Sequence, residues 1–351
     1  MSCTVLKTRT PAYVFNKKKL IDCYEKIKVL MANIRIYYAL KANSTREVLF
    51  ILSSIGADFE VASLGEYNAL MALNVSPERI ICGLPVKPTE WLKYMYDNGC
   101  NYFVFDTISE LSKIVYHAPR AKKILRIRIS DILSHCIDFG MSYDEIMCRL
   151  TSCSHLAEST DGISFHISNN VVVNEFNNVI ERIDVILKAF NKRNMILNIG
   201  GGYRINAEES FFDNLNNKIR CLVNKYAITV IAEPGNTIVN SSGRIITTVV
   251  GVKKREAGRY DLYIDAGKPS GIKTNGKRIP GYIKQITRHE PCEEREYRFI
   301  DITCMHSPHF SIALKSPVYE GDVFEFGNMG AYSICLRSDF HLWNIPDVIV
   351  D

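Results

Sequence analysis

The sequence predicts a (β/α)8 barrel followed by a second, β-rich domain, and two observations lead to this fold class. Between about residue 34 and residue 235, short runs of β-branched and aromatic residues alternate with helical patterns, as in repeated βαβ units. After Gly235 the long helical patterns stop, and strand patterns separated by Gly, Pro and Asn turns replace them. We therefore expect a barrel over residues 20–240 and a β-rich domain formed by residues 1–19 together with 241–351.

Eight strands are predicted in the first region, and their number decides between two architectures. An open doubly wound sheet also alternates strands and helices, but eight successive units without a long interruption favour closure into a barrel. Helical patterns such as TREVLFILSSIG and LGEYNALMALN fill the intervals. The predicted strands are IRIYYAL (34–40), ADFEVAS (57–63), RIICG (79–83), YFVFD (102–106), KILRIRIS (123–130), GISFHIS (162–168), MILNIG (195–200) and TVIAEPG (229–235).

The second domain is predicted to be all-β. The opening segment PAYVFN also has a strand pattern, and we expect it to pair with the C-terminal sheet because it precedes the barrel. The strand patterns of the second domain are RIITTVVGVKK, YDLYIDAG, REYRFIDITC, DVFEFGN and AYSICL.

Composition excludes several functional classes. A hydrophobic fraction of 47% and a charged fraction of 23% are typical of a globular protein and exclude a disordered chain. The net charge of +5 is spread along the chain, so no nucleic-acid polymer is expected as a partner. The sequence has no apolar run of membrane-spanning length, and the N-terminal segment lacks a signal-peptide pattern, which predicts a cytoplasmic protein.

Cysteine and histidine usage predicts neither disulfides nor a metal site. The 11 cysteines are scattered, odd in number and never spaced as CxxC, which fits free thiols in a reducing compartment. His306 and His309 form the nearest approach to a ligand pair, but the intervening Ser-Pro disfavours the helix that would align them.

Chemically competent residues fall where the predicted barrel strands end. In a (β/α)8 barrel these ends form one face, which carries the active site. Each residue alone has a simpler reading, as a solvated loop lysine or a satisfied core histidine, but their common placement indicates a site. They are Lys41, Glu60, Glu66, Arg126, His166, Gly200, Gly201, Gly202 and Glu233.

The three consecutive glycines after the seventh strand predict a phosphate site. Without side chains, their backbone N–H groups can approach an anion closely, and barrels commonly bind phosphate after strands seven and eight. A Rossmann fingerprint is excluded because GGGY lacks the GxGxxG spacing.

These residues together resemble the fold-type III pyridoxal-phosphate decarboxylases, the group that contains ornithine, arginine and diaminopimelate decarboxylases. Alanine racemase is a more distant relative that shares the barrel and β-domain architecture. The resemblance covers nearly the whole chain, and the order and spacing of its segments fit. The segments are YYALKAN (37–43), GADFEVASLGE (56–66), ILRI (124–127), SFHIS (164–168), NIGGGY (198–203), AEPGN (232–236), ITC (302–304) and GNMGAYS (327–333).

The resemblance implies pyridoxal phosphate as the cofactor and a role for each matching residue. Lys41 is implied as the Schiff-base lysine, His166 as the residue stacked on the pyridine ring, and Glu233 as the acid against the ring nitrogen. The implied cofactor-binding set further contains Glu60, Glu66, Arg126, Asn169, Gly200, Gly201, Gly202, Gly235, Asn236 and Tyr332.

The resemblance also implies a homodimer with shared active sites. Cys304 would enter the site from the partner subunit and protonate Cα after carbon dioxide leaves. A small-molecule or conjugated amino acid is the implied substrate partner.

The sequence departs from the family pattern at several positions. The segment after His166 differs, EPGR reads EPGN with Asn236 replacing an arginine, and the usual Asp of FDxAS is Glu60. The acid that follows the reactive cysteine, and that recognises the distal ammonium of diamino acids, is Met305 here. The chain also ends soon after Trp343, earlier than expected for the family, so we expect it to be one domain of a longer polypeptide or an excised fragment.

The missing acid predicts an unusual substrate. With Met305 and His306 as the implied distal contacts, a neutral or anionic distal group is expected, such as an amino acid on a carrier or an aminocarboxypropyl group on a phosphate or nucleotide. Antibiotic-tailoring members of the family offer a precedent. Three alternatives stay open: an acid elsewhere, such as Asp265 or Asp339, could replace the missing one; the enzyme could be an amino-acid racemase; or the barrel could bind the cofactor without catalysis.

Overall fold

The computed structural model describes residues 9–133, 139–152, 154–167, 172–203, 209–272, 280–304, 310–342 and 347–351. The chain divides into two compact units. One comprises residues 22–237, and the other comprises residues 1–21 with 238–351.

The first unit is a closed barrel of eight parallel strands in sequence order. Closure is made between its first and last strands, where Arg35 pairs with Ile231 and Ile36 with Ala232. Every strand predicted for this region is present, and the barrel prediction is confirmed. The strands are β2 (Arg35–Ala39), β3 (Asp58–Val61), β4 (Ile80–Cys82), β5 (Tyr102–Phe105), β6 (Lys122–Arg126), β7 (Gly162–Ser164), β8 (Ile196–Asn198) and β9 (Thr229–Ala232).

The helices of the described residues are α1 (Lys17–Leu30), α2 (Arg46–Ser54), α3 (Leu64–Met71), α4 (Thr89–Asp97), α5 (Ile108–His117), α6 (Tyr143–Ser152), α7 (Ser154–Ser159), α8 (Val173–Phe190), α9 (Glu209–Tyr226) and α10 (Asn236–Val239). Helices α2 to α9 connect the barrel strands, whereas α1 precedes β2 and α10 follows β9.

Local sequence explains where several of these elements begin. The side chains of Ser63 and Thr107 accept hydrogen bonds from the backbone N–H of the residue three positions later, which caps α3 and α5. Inside the barrel, Tyr37, Ile81 and Ile231 form a buried cluster. The caps and this cluster fix the strand ends, and therefore the loops, at defined positions.

The second unit is an eight-stranded sheet. Its strands are β1 (Ala12–Phe15), β10 (Gly243–Lys254), β11 (Tyr260–Ile264), β12 (Tyr282–Gln285), β13 (Arg295–Asp301), β14 (Phe310–Leu314), β15 (Val323–Gly327) and β16 (Asp347–Val350). The main order is β12-β15-β10-β11-β13-β14, in which β1 adds to β10 and β16 adds to β1. The segment PAYVFN contributes β1, which pairs antiparallel with β10, as predicted.

Four phenylalanines form the aromatic core of this sheet. The ring of Phe299 lies 5.1 to 5.2 Å, between centroids, from those of Phe310, Phe324 and Phe326. Such edge-to-face and tilted contacts add roughly 0.5–1.5 kcal/mol per pair beyond burial. The all-β second domain is therefore confirmed.

The strand prediction for AYSICL is wrong. Tyr332 has a left-handed backbone (φ 50°), which a strand cannot contain, and Ile334–Leu336 forms a 3-10 turn. Three strands were not predicted: β12, β14 and β16. The first two are edge strands whose residues are largely exposed or half-exposed, so they lack a strong hydrophobic alternation.

Among the described residues, none of the helices is long and apolar enough to cross a membrane.

Candidate active site

Lys41 stands on a short turn at the C-terminal end of the first barrel strand. The 3-10 turn Leu40–Ala42 follows β2 directly. Asn43 is fully buried and fixes the exit of this turn, because its Oδ1 accepts from the backbone N and the Oγ1 of Thr45, at 2.9 and 2.8 Å. Tyr38 donates its hydroxyl to the Asn43 carbonyl at 2.9 Å. The motif YYALKAN thus presents an exposed lysine on a rigid buried support.

Glu60 occupies the end of the next strand, β3, and its side chain is buried. Its Oε2 is buried without a hydrogen-bond partner. Burial, and next the charge of Glu233, raise the pKa of Glu60 to about 8. The charges of Lys41 and Arg126 act in the opposite direction.

Glu66 lies in the first turn of α3 and is bonded to the loop before it. Its carboxylate accepts a hydrogen bond from the Ala62 backbone N at 2.7 Å, and its own N–H donates to the hydroxyl of the N-cap residue Ser63. The two bonds tie the end of the loop after β3 to the start of α3. Burial raises the pKa of Glu66, and the charge of Lys41 opposes that shift. Glu66 therefore shapes the loop after β3 and also lies within electrostatic reach of the lysine.

Arg126 ends β6, and Asp106 follows the neighbouring strand β5. The Asp106 Oδ1 is buried without a hydrogen-bond partner. Burial raises the pKa of Asp106, whereas a hydrogen bond from the Gly140 backbone and the charge of Arg126 lower it. The Arg126 guanidinium lies 5.7 Å from the centroid of the Phe139 ring.

His166 follows β7 and is held by the glycine loop. Its Nδ1 accepts a hydrogen bond from the backbone N–H of Gly201 at 3.2 Å. Burial, and then the charges of Lys41 and Arg126, lower the pKa of His166 to about 3. At neutral pH the imidazole is therefore uncharged, and because Nδ1 accepts, the proton resides on Nε2.

Asn198 connects the glycine loop to Glu233. Its Oδ1 accepts from the Gly200 backbone N at 2.9 Å, so its amide nitrogen faces the other way and donates to Glu233 Oε1 at 2.6 Å. The Glu233 backbone N–H in turn donates to the Gly200 carbonyl at 2.7 Å. The ends of β8 and β9 are thereby joined through one carboxylate and one amide.

The glycines of this loop allow close packing against neighbouring backbone atoms. A Cβ at Gly200 would lie 2.3 Å from the Phe165 carbonyl oxygen, and a Cβ at Gly201 would lie 2.5 Å from the Glu233 carbonyl oxygen. Gly200 and Gly202 also have left-handed backbones, with φ of 64° and 95°. The N–H groups of Gly200 and Gly201 donate inside the protein, so the predicted backbone contact with a phosphate stays a prediction for Gly202.

Gly235 lets the segment after β9 pack closely against the turn that carries Lys41. A Cβ at this position would lie 2.8 Å from Ala42 Cβ and 3.0 Å from the Ala39 carbonyl oxygen. Asn236 follows at the start of α10.

The structure therefore gathers six of the predicted side chains at one end of the barrel. Lys41 and Arg126, which come from different parts of the barrel, lie within electrostatic reach of both Glu60 and His166. The gathered side chains are Lys41, Glu60, Glu66, Arg126, His166 and Glu233.

Two predicted residues belong to the other unit. Cys304 lies in the turn after β13, is exposed and has a left-handed backbone (φ 59°). Tyr332 precedes the 3-10 turn that starts at Ile334. Asn169, Met305 and His306 lie outside the described residues.

Three residues of the site were missed by the sequence analysis: Gly83, Asp106 and Asn198. Asn198 lies inside the predicted strand MILNIG, and a polar residue two positions before the glycine run was the available signal. Asp106 ends the predicted strand YFVFD, at the same face as the residues that were selected. Gly83 follows β4 and packs against Glu60, because a Cβ at this position would lie 2.2 Å from Glu60 Oε1; a glycine after a strand is otherwise typical of an ordinary turn.

The family model described as "Pyridoxal-dependent decarboxylase, pyridoxal binding domain" matches residues 17–240. The chain belongs to this family. It is thus a lyase of the pyridoxal-phosphate class, and the predicted enzyme class and cofactor are confirmed.

Individual relatives agree with this membership. The chain is 31% identical to an ornithine decarboxylase of Schizosaccharomyces pombe over 243 residues, which span 66% of this chain and 55% of that protein. It is 26% identical to ornithine decarboxylase of Rattus norvegicus, over 89% of this chain and 74% of that one. The solved arginine decarboxylase of Paramecium bursaria Chlorella virus superposes with a TM-score of 0.88 at 26% identity, covering 99% of this chain and 98% of that chain.

The residues present fit pyridoxal phosphate. The exposed Lys41 lies within electrostatic reach of the neutral imidazole of His166 and of Glu60, which is in turn within reach of Glu233. The buried Glu60 Oε2 has no protein partner and is available to a bound group. These are the kinds of group that a cofactor with a carbonyl, an aromatic ring and a ring nitrogen requires.

Proposed function

We propose that this protein decarboxylates an amino acid whose distal end is neutral or anionic. The observation that carries the proposal is the residue after Cys304: Met305 stands where the family pattern has the acid that recognises a distal ammonium. An ammonium buried without a carboxylate is costly, so a site lacking that acid rejects ornithine and lysine.

The two acids that could replace the missing one differ in their availability. Asp265 uses both carboxylate oxygens within its own unit: Oδ1 accepts from Thr247 Oγ1 and the Thr248 backbone N, and Oδ2 from Thr10 Oγ1, all within 2.9 Å. A carboxylate with these hydrogen bonds stabilises the second unit and is not available to a substrate. Asp339 is exposed and remains the stronger substitute.

The barrel residues divide the work as follows. Lys41 would hold the cofactor covalently, Glu233 would accept a hydrogen bond from the ring nitrogen, and the neutral His166 would present its ring face to the cofactor. The cofactor supplies the electron sink that stabilises Cα when carbon dioxide departs. Asn198 keeps Glu233 in register by donating to Oε1. A carboxylate at Glu233 supports decarboxylation over racemisation, since it keeps the ring nitrogen protonated.

Cys304 of a second copy completes the site in this proposal. It is exposed in the isolated chain, as a residue contributed to another subunit would be. Its thiol returns a proton to Cα after decarboxylation. None of the eight cysteines among the described residues forms a disulfide, which supports a reducing, cytoplasmic location.

A second candidate is decarboxylation of a basic amino acid. The names of the relatives favour it: ornithine decarboxylases of S. pombe and R. norvegicus, and an arginine decarboxylase of a Chlorella virus. In that case Asp339, or a residue of the partner subunit, binds the distal cation.

A substrate panel distinguishes the two candidates. Carbon dioxide release is measured with ornithine, lysine and arginine, with neutral and acidic amino acids, and with a phosphorylated aminocarboxypropyl conjugate, each against a Lys41→Ala control. We expect kcat/KM to be highest for a substrate without a distal cation. Efficient turnover of ornithine, lysine or arginine would overturn the proposal in favour of the second candidate. Product without carbon dioxide loss, detected as the D-enantiomer, would identify a racemase.

Subunit complementation tests the dimer. Lys41→Ala and Cys304→Ala proteins are each expected to have low activity, and mixing them should restore part of it because one of the two sites then contains both native residues. Mixing each variant with itself is the control. Failure to recover activity after demonstrated subunit exchange contradicts shared sites and leaves the substrate proposal standing.

A further inference from the structure

Glu60 carries one methylene more than the aspartate of the family pattern, and a glycine on the next strand makes room for it. A Cβ built at Gly83 would lie 2.2 Å from Glu60 Oε1, 2.8 Å from its Cδ and 3.0 Å from its Cγ. Real Cβ atoms do not approach so closely, and the buried Glu60 side chain, 4% exposed, has little freedom to move away. The side chain therefore fills the space that a residue larger than glycine would occupy.

Charged and titratable groups reach Glu60 from five other elements. Three of these groups can carry a negative charge: Glu233 after β9, Glu66 on α3 and Cys82 on β4. The two positively charged groups are Lys41, after β2, and Arg126, on β6. Burial and Glu233, the two largest influences, both favour the protonated carboxyl.

Hydrogen bonding distinguishes the two glutamates. Glu233 Oε1 accepts a 2.6 Å hydrogen bond from the Asn198 amide, which favours a carboxylate. Glu60 Oε2 is buried and accepts no hydrogen bond, so a negative charge there lacks the compensation that Glu233 receives. Of two acids in one buried site, the less solvated one retains the proton.

We propose that Glu60 is a neutral carboxylic acid, seated in the space left by Gly83, and that it donates a hydrogen bond to an acceptor atom of the bound cofactor. Glu233 is then the only carboxylate of the pair. The pairing of Glu60 with Gly83 and the proton on Glu60 stand on the structure alone, whereas the contact with the cofactor rests on the proposed function.

Infrared difference spectroscopy on the apoprotein tests the proton directly. Subtracting the spectrum of Glu60→Gln from that of the wild type at pH 6.5 should leave the carbonyl band of a protonated carboxyl, which fades as the pH rises through about 8. The matched control is Glu90→Gln, which removes an exposed glutamate on α4 and should leave the band unchanged. A wild-type spectrum without the band at pH 6.5 overturns the proposal.

Stability of the apoprotein offers a second measurement with a defined sign. Because the folded pKa of Glu60 lies above the unfolded value, unfolding releases this proton between about pH 4.5 and pH 8, and the acid progressively destabilises the fold over that range. The melting temperature of Glu60→Gln should equal that of the wild type near pH 4.5 and exceed it increasingly up to pH 8. A constant difference across this range contradicts a titrating Glu60.

A double-mutant cycle tests the steric pair. Gly83→Ala should destabilise the protein when residue 60 is Glu and much less in a Glu60→Asp background, because the shorter side chain removes the contact at 2.2 Å. Additive effects in the cycle would show that Gly83 and Glu60 are not matched.

Titration of each apoprotein with pyridoxal phosphate tests the donated hydrogen bond. Glu60→Gln retains a donor and should bind the cofactor nearly as the wild type does, whereas Glu60→Ala should bind roughly tenfold more weakly. Equal weakening by both changes argues against donation. Loss of the covalent adduct in Lys41→Ala reports separately on the proposed function, so the two ideas can fail independently.

Discussion

The side-chain amide of Asn198 donates to Glu233 Oε1 at 2.6 Å, and the same side chain accepts from the Gly200 backbone at 2.9 Å. A single residue thus couples the acid at the end of β9 to the loop after β8. The orientation of the Glu233 carboxylate depends on the geometry of the glycine loop.

Asn198→Ala should lower kcat/KM by roughly 10- to 100-fold, because a hydrogen bond to a charged group contributes about 1.5–3 kcal/mol. Asn198→Asp should retain activity only at low pH, where its carboxyl is protonated and can donate. The pH dependence of kcat and the absorbance of the bound cofactor are the measurements. Asn98→Ala, which removes an exposed amide at the end of α4, is the control. A pH profile of Asn198→Asp that matches the wild type would contradict the coupling.

His166 should remain neutral throughout the working range of the enzyme. Since the folded pKa of about 3 lies below the usual 6.5, unfolding takes up a proton between these values, and stability is lost as the pH falls from about 6.5 towards 3. Nitrogen NMR of the labelled imidazole should show Nδ1 unprotonated at pH 6, and His166→Gln should lose less stability than the wild type on acidification. An imidazole that titrates near 6.5 in the folded protein would refute this.

Gly201→Ala should disrupt both the loop and the acid, because its Cβ would lie 2.5 Å from the Glu233 carbonyl oxygen and 3.2 Å from His166 Cε1. We expect a loss of roughly 1–3 kcal/mol in unfolding free energy, as overpacking typically causes, together with weaker cofactor binding. Gly65→Ala is the matched control: its Cβ meets only Ser63 Oγ at 3.7 Å, and alanine suits α3 better than glycine. Equal effects of the two substitutions in urea unfolding would count against the packing role.

A buried ion network supports the loops after β4 and β5. Lys87 is 1% exposed and donates to Glu110 Oε1 at 2.7 Å and to the Val104 carbonyl at 2.8 Å, and Lys113 lies 2.5 Å from Glu110 Oε2. Lys87→Met removes the buried cation of the pair, leaves Glu110 with only the partly exposed Lys113, and deprives the Val104 carbonyl of its donor, so it should cost about 3 kcal/mol.

The controls for this network separate charge from packing. Lys93→Met, at an exposed position of α4, should change stability by less than about 0.5 kcal/mol. Adding Glu110→Leu to Lys87→Met should recover part of the loss, since both buried charges are then gone. If the double variant is the least stable in urea, the network contributes through packing or hydrogen bonds to the backbone.

The sequence predicted the barrel well because its strands are buried on both faces. Runs such as VIA in β9 and YFVF in β5 are continuously apolar and are followed by acidic residues, Glu233 and Asp106 among them, so both the strand and its functional end are visible in the pattern. Edge strands of the second sheet, such as Tyr282–Gln285, carry no comparable signal.

Site residues could be predicted where they follow the end of a strand. They could not be predicted where their role depends on contact with a residue that is distant in the sequence. Lys41 and His166 could be selected from position and residue type. The role of Asn198 depends on a hydrogen bond to a residue 35 positions away, and that of Gly83 on the side chain it accommodates. Such relations exist only once the strands are adjacent.

The position of β1 in the second sheet determines which fragments of the chain can fold by themselves. This strand lies between β10 and β16, where Ala12 pairs with Ile246 on one side and with Asp347 on the other. Along the chain, the barrel is inserted between β1 and the other strands of the second sheet. A fragment beginning after the barrel would leave the edges of β10 and β16 that pair with β1 exposed and should aggregate, whereas supplying β1 as a separate peptide should rescue it by strand complementation. A circular permutant whose new chain ends lie within the barrel would keep all strands of the second sheet in one continuous segment of chain.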